Sequence, residues 1–264
     1  MSLYSGPPAR DVSVPPRIAA LARGRALLPV WVNEAGGLTF QIGEGESRLF
    51  AKWAPRGSGL DLPGEAARLR WAVRYTPVPE VLDQGTDEGT DEGTGGATEN
   101  EAGAAGDWLL TRGLPGDSAV SPRWKARPEA AVRAIGAGLR VFHERLPVDS
   151  CPFSWSVTDR LEQARRRGVA VPADLPPAPP VDRLVVCHGD ACSPNTLLHE
   201  DGSWAGHVDL DALGVADRWA DLAIATYATQ WNYGPGWEDT LLDAYGIAPD
   251  PERIRFYRAL WDAT

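Results

Sequence analysis

At 264 residues, with 43% apolar residues and 11 tryptophans, the chain is long enough for one large domain or two lobes and too apolar for intrinsic disorder. No uninterrupted apolar run reaches the ~18 residues of a membrane span, and the first twenty residues lack the apolar core of an export signal. The net charge of −10 is concentrated in Asp83–Gly106, whose seven carboxylates leave a body of only −3; without a basic stripe nucleic acid is excluded, and a cationic small molecule is the natural partner.

In chain order, residues 1 to about 20 are Pro-rich and read as irregular. Ala26–Val32 and Leu38–Ile42 carry apolar residues at strand spacing on either side of an Ala35–Gly37 turn. Leu49–Trp53 gives a third strand after the turn sequence GEGES (43–47). After Pro63, EAARLRWAV has helical periodicity with Glu65 in its first turn. Val78–Leu82 reads as a strand. The TDEG repeat that follows (about 83–106) is expected to be a solvated, disordered insertion between strands. Trp108–Thr111 is another strand, and RGLPG (112–116) a joint. Helices are expected at Pro128–Glu144, Ser156–Arg167 (capped by Ser156 or Thr158), Asp217–Thr229, Trp237–Tyr245 and Pro251–Trp261. Strands come first and helices second, which predicts an α+β fold with an N-terminal lobe over 1–111 and a C-terminal lobe over 112–264. Three cysteines (Cys151, Cys187, Cys192) form no disulfide framework, consistent with a reducing cytoplasm. The sequence is silent on oligomeric state.

The densest chemistry lies in LVVCHGDACSPNTLL (184–198). Asp190 follows a short apolar run, Asn195 comes five positions later, and a second apolar segment delivers Asp209. That order suits phosphoryl transfer from a nucleotide: Asp190 to orient or deprotonate an acceptor hydroxyl, Asn195 and Asp209 to hold Mg²⁺ against the phosphates. A turn aspartate is the plain alternative for Asp190. Lys52, one of only two lysines, sits mid-strand where it is either a solvated pleat residue or a point charge for phosphates, with Glu65 as its partner. The Gly36–Gly37 turn either covers phosphates or simply closes a hairpin. Cys187, His188, Cys192 and His207 match no zinc spacing, so the cysteines read as small buried hydrophobes.

LVVCHGDACSPNTLL followed by HVDLDALGVADRWADLAIA, with LFAKWAP, LPGEAARLRW, WLLTRGLPG and LPVDSCPF, resembles the aminoglycoside phosphotransferases, above all the 3′-hydroxyl kinases. The resemblance implies a two-lobed, protein-kinase-like fold with an N-terminal antiparallel sheet and one helix, and a larger, mostly helical C-terminal lobe. It assigns Asp190 as base, Asn195 and Asp209 to Mg²⁺, Lys52 to the ATP phosphates with Glu65 as partner, and the backbone from Leu110 to Arg112 to adenine. Acidic residues would hold the ammonium-rich acceptor, here Asp159, Glu162, Glu238 and Asp262. Three positions depart from the family pattern. Asp211 stands where a glycine is usual, Ala212 where an arginine is frequent, and WDAT (261–264) replaces an acidic–aromatic tail. The function implied is ATP-dependent phosphorylation of an aminoglycoside hydroxyl, conferring resistance. The alternatives are a same-fold kinase with another acceptor and a nucleotide-binding protein without catalysis.

Overall fold

Alternation of apolar side chains sets the strands of the first half of the chain. In the computed structural model, which describes residues 6–8, 12–89 and 105–264, these strands are β1 (Leu27–Val32), β2 (Leu38–Ile42), β3 (Leu49–Pro55), β4 (Val81–Asp87) and β5 (Gly106–Arg112). They form one antiparallel sheet in the order β1-β2-β3-β5-β4. With two helices they build a first compact unit, made of the described residues up to Arg70 together with Pro79–Gly113. Phe40, Ile42, Ala51, Trp53, Trp108 and Leu110 supply its core.

Helix α1 (Pro16–Ala22) covers that core with Ile18 and Ala22, one turn apart on the same face. This corrects the irregular reading from Pro16 onward; residues 1–5 and 9–11 lie outside the described residues. Pro16 occupies the first turn, where its missing N–H costs nothing and its fixed φ favours the helix. Seven residues are too few to display periodicity. Helix α2 (Leu62–Ala72) starts at Asp61, whose carboxylate accepts from Gly64 N–H at 2.8 Å.

A second correction concerns the acidic segment. Its first five residues, Asp83–Asp87, are not disordered but continue β4 in register with β5. Partners distant in sequence offset the charge that made them look solvated: Arg17 forks onto Asp87 at 2.8–3.2 Å, Gln84 accepts from Arg70, and Thr86 donates to Asp107. The expectation for positions 90–104 lies outside the described residues.

The second unit comprises Trp71–Val78 and Leu114–Thr264. Its helices are α3 (Pro122–Lys125), α4 (Pro128–Arg145), α5 (Val157–Arg166), α6 (Trp219–Tyr233), α7 (Glu238–Tyr245) and α8 (Pro251–Asp262). Their buried faces meet in a core that includes Trp124, Ile135, Leu139, Trp155, Trp219, Leu222, Leu241 and Leu260. Gly136 lets α4 approach α7 closely, since a Cβ there would lie 2.4 Å from the Leu241 carbonyl oxygen. Two small sheets are set into this helical unit. One pairs β7 (Leu184–Cys187) with β10 (Gly214–Asp217); the other has the order β6 (Asp117–Ser118), β8 (Thr196–Leu198), β9 (Trp204–His207). Strand β10 starts the GVADR segment, so α6 begins two residues later than its periodicity suggested.

The caps follow the sequence. Asp250 accepts from Glu252 and Arg253 N–H at the start of α8. Ser156 caps α5: its Oγ accepts from Asp159 N–H at 3.1 Å and donates to Asp159 Oδ2 at 2.6 Å, and Ser154 donates to the same oxygen. Ser156→Ala is expected to lower stability by about 1 kcal/mol, read from urea denaturation midpoints. A change of less than roughly 0.3 kcal/mol, well under a normal cap, would show that Ser154 alone holds the turn. Among the described residues no helix is long and apolar enough to cross a membrane.

Candidate active site

Two tight connections in the second unit place the carboxylates. The HGD loop leaves β7, and Gly189 takes φ +84° there. A Cβ at Gly189 would lie 2.2 Å from the Ala212 carbonyl oxygen, so only glycine allows this approach. The β8–β9 hairpin then brings its two ends together. Val208 N–H donates to the Asn195 carbonyl oxygen at 3.0 Å, which sets Asn195 beside the segment leading to Asp209. Asp209 itself has φ +67°, a left-handed conformation that aspartate tolerates better than most side chains.

Asn195 Nδ2 donates to both the Asp190 carbonyl oxygen and Asp190 Oδ2, each at 3.0 Å. This commits its amide nitrogen to Asp190 and leaves Oδ1 as the acceptor end of the side chain. Burial, and then the charge of Asp209, push the Asp190 carboxyl above its ordinary value; the Cys192 thiol, His188 and Asn195 act in the opposite sense. Both features suit a carboxylate held in one rotamer and poised to accept a proton. The residues also fit Mg²⁺, since an amide oxygen and a carboxylate are hard donors and Asp209 already presses its charge on Asp190.

His188 is neither base nor free ligand. Its Nε2 lies 2.9 Å from the Val208 carbonyl oxygen, so that nitrogen carries the proton, and Nδ1 accepts from Asp190 N–H at 3.2 Å. It therefore ties the loop of Asp190 to the segment before Asp209. His207 is fully buried beside Phe142 and His188, and burial followed by the neighbouring histidines holds it neutral, well below the usual imidazole range.

A residue without an assigned role in the sequence reading anchors the loop. Asp221, in the first turn of α6, is fully buried and accepts from His188 N–H at 2.6 Å and Gly189 N–H at 2.9 Å. Its neighbour in sequence, Asp217, accepts from Asp182 N–H and Trp219 N–H and so pins the start of α6. Both belong to the GVADRWAD string; an acidic residue among apolar helical neighbours was the signal available.

His143, Cys187 and Asp221 form the described cluster whose donor atoms could surround a metal. It shares only Cys187 with the set weighed from the sequence. Its atoms are already engaged: His143 Nε2 and two backbone amides on Asp221, and the Cys187 thiol 3.4 Å from the Asp217 carbonyl oxygen. The cluster is a hydrogen-bond network, and burial raises the Cys187 thiol well above its normal range.

In the first unit, Lys52 stands mid-β3 opposite Thr39 and Leu109. Its Nζ bridges both oxygens of the buried Glu65, at 2.7 and 2.9 Å. The side chain is thus fixed rather than waving from a pleat. Leu110 lies opposite Ala51 and Asp83, and Arg112 donates through its N–H and Nε to Glu80. The Gly36 turn is closed by Gly36 N–H on the Asn33 carbonyl oxygen and Gly37 N–H on Asn33 Oδ1.

The four acidic residues assigned to the acceptor come from α5, α7 and α8, and each has its own surroundings. Asp159 serves the α5 cap and is held below the usual carboxylate range by Ser154 and Ser156. Glu162 pairs with Arg166 on the exposed face of α5. Glu238 binds Arg258 at 2.9 Å and accepts from Gln230. Asp262 is exposed in the last turn of α8.

Residues 33–257 match the model of the phosphotransferase enzyme family. An aminoglycoside 3′-phosphotransferase of Streptomyces fradiae is 33% identical over 87% of this chain and 92% of its own length. A streptomycin 3″-kinase of Streptomyces griseus is 34% identical over 87% and 89%. Among solved structures, an aminoglycoside phosphotransferase of Streptomyces rimosus in complex with ADP and streptomycin superposes with a TM-score of 0.60. It is 29% identical, and the match covers 84% of this chain and 88% of that one.

Proposed function

The chain belongs to the phosphotransferase enzyme family, and from that premise we propose that it transfers the γ-phosphoryl group of ATP to an aminoglycoside hydroxyl, the 3′-hydroxyl, and so confers resistance. One observation carries this reading: a raised carboxyl, Asp190, locked by Asn195 at the mouth of a hairpin whose other end is Asp209. Asp190 orients the acceptor hydroxyl and takes its proton as the oxygen attacks phosphorus in line. Asn195 Oδ1 and the Asp209 carboxylate would hold Mg²⁺, which would supply positive charge against the transferring phosphoryl group. Lys52, kept straight by Glu65, neutralises the nucleotide phosphates, and the end of β5 from Leu110 to Arg112 seats adenine. Asp159, Glu162, Glu238 and Asp262 supply negative charge toward a polycationic acceptor. ATP as donor and three cysteines outside any disulfide support a cytoplasmic reaction.

The test is coupled ADP release with Mg-ATP across a panel of aminoglycosides, with amino alcohols as controls. Turnover that disappears with a 3′-deoxy analogue is the expected result. The likeness to a streptomycin 3″-kinase favours a second reading, transfer to the 3″-hydroxyl of streptomycin; turnover of streptomycin alone would establish it. Turnover of amino alcohols alone would move the acceptor out of the antibiotic class. ATP binding with silence across the panel would leave a nucleotide-binding protein without catalysis.

A further inference from the structure

His143 lies near the end of α4, forty-seven positions before Asp190, and no sequence motif connects the two. In the fold it is buried, and both ring nitrogens are engaged: Nε2 is 2.9 Å from Asp221 Oδ2, and Nδ1 is 2.9 Å from the Tyr245 hydroxyl. We propose that His143 is a positioning residue for catalysis, acting through Asp221 on the backbone that presents Asp190, with Tyr245 fixing its ring. The inference rests on the reading of Asp190 as the base.

The proton inventory supports it. Burial pushes the Tyr245 hydroxyl up to about 12, so it remains a phenol and donates to Nδ1. Nε2 then carries the imidazole proton and donates to Asp221. Burial alone would raise the Asp221 carboxyl, but the hydrogen bond from His143, with His188 and Gly189, carries it below its ordinary value. Asp221 is thus an anion that accepts at both oxygens. Oδ2 takes His143 and His188 N–H together, and Oδ1 takes Gly189 N–H.

The shared oxygen is the critical point. Without His143, one side of the carboxylate loses its fixed donor, and the group gains freedom to rotate about its Cβ–Cγ bond. The peptide planes of His188 and Gly189 then lose their common reference, and Asp190 follows directly. Three helices are needed to hold that reference, since His143, Asp221 and Tyr245 come from α4, α6 and α7. A misplacement of about 1 Å in a catalytic group suffices to lower kcat severely without altering ground-state binding.

The experiment compares His143→Phe, His143→Gln and Tyr245→Phe in kcat, in KM for both substrates and in backbone amide exchange at His188 and Gly189. Glutamine can donate to Asp221 and accept from Tyr245, whereas phenylalanine can do neither. His143→Phe is expected to lose roughly 10- to 100-fold in kcat, the usual effect of removing a supporting partner, with both KM values within about two-fold. His143→Gln should regain most of the loss, and Tyr245→Phe should fall between the two with the fold intact. Amide exchange at His188 and Gly189 should accelerate in His143→Phe and return toward wild type in His143→Gln. Equal kcat losses in His143→Phe and His143→Gln, or unchanged exchange at the two amides, would overturn the proposal. A wild-type chain that turns over no acceptor refutes the phosphotransferase reading instead, and the exchange measurement still decides whether His143 holds the loop.

Discussion

Asp190→Asn is expected to reduce phosphoryl transfer by about 10³-fold or more, the scale of a lost general base in a positioned site, while ATP binds with unchanged affinity. Asparagine keeps an oxygen for Asn195 Nδ2, so the loop retains its hydrogen bond. The variant should also be more stable than wild type at neutral pH in chelator-treated buffer. The sign follows from the raised pKa of Asp190 in the fold, caused by burial and then by Asp209. The native chain binds that proton more tightly than the unfolded chain, so ionisation destabilises the fold as pH rises from the ordinary carboxylate value of about 3.9 through the raised one. Above that interval the penalty is complete, and asparagine removes it. Activity falling with a midpoint that rises would identify Asp190 as a residue kept for chemistry at the expense of stability. Retained turnover would remove it from that role. A lowered midpoint would mean that the loop needs the charge rather than tolerating it.

The parts legible in the sequence were those where local periodicity and tertiary role agree. Leu38–Ile42 alternates because one face of β2 meets the core, and Pro128–Arg145 shows helical spacing because α4 buries one stripe. Among the elements that escaped, two did so because their stabilisation is nonlocal. Helix α1 is seven residues long and held by Ile18 and Ala22 against a sheet formed later in the chain. The end of β4 at Asp83–Asp87 reads as a charged, Gly-containing linker until Arg17, seventy positions earlier, is placed on Asp87.

For the candidate site the same divide applies. The HGD-x4-N spacing is local, since one turn and one hairpin set it. The anchoring of that loop is not, because Asp221, His143 and Tyr245 come from three helices and share no spacing. A buried acid bonded to backbone amides leaves no pattern beyond its own letter in an apolar run.

Asp221→Ala is the variant expected to cost most in stability. The side chain has no exposed surface and accepts from His143 Nε2, His188 N–H and Gly189 N–H. Removal strands three buried donors, each worth about 1–3 kcal/mol when left unsatisfied. A total of roughly 3–9 kcal/mol is a large share of the 5–15 kcal/mol that holds a typical domain, so the second unit should unfold at markedly lower urea. Asp221→Asn should recover only part of this, because its amide nitrogen must face one of the three donors. The pH dependence separates this role from that of Asp190. The Asp221 carboxyl lies below its ordinary value in the fold, so its contribution is present above the unfolded value of about 3.9 and fades as pH falls through the lower folded one. The stability gap between wild type and Asp221→Ala should therefore hold steady from neutral pH down to about pH 4 and narrow only below it. A gap under about 1 kcal/mol at neutral pH, the size of a single ordinary hydrogen bond, would mean that water or a rearranged loop satisfies the three donors. In that case the position of Asp190 depends on the β8–β9 hairpin and Asn195 rather than on α6.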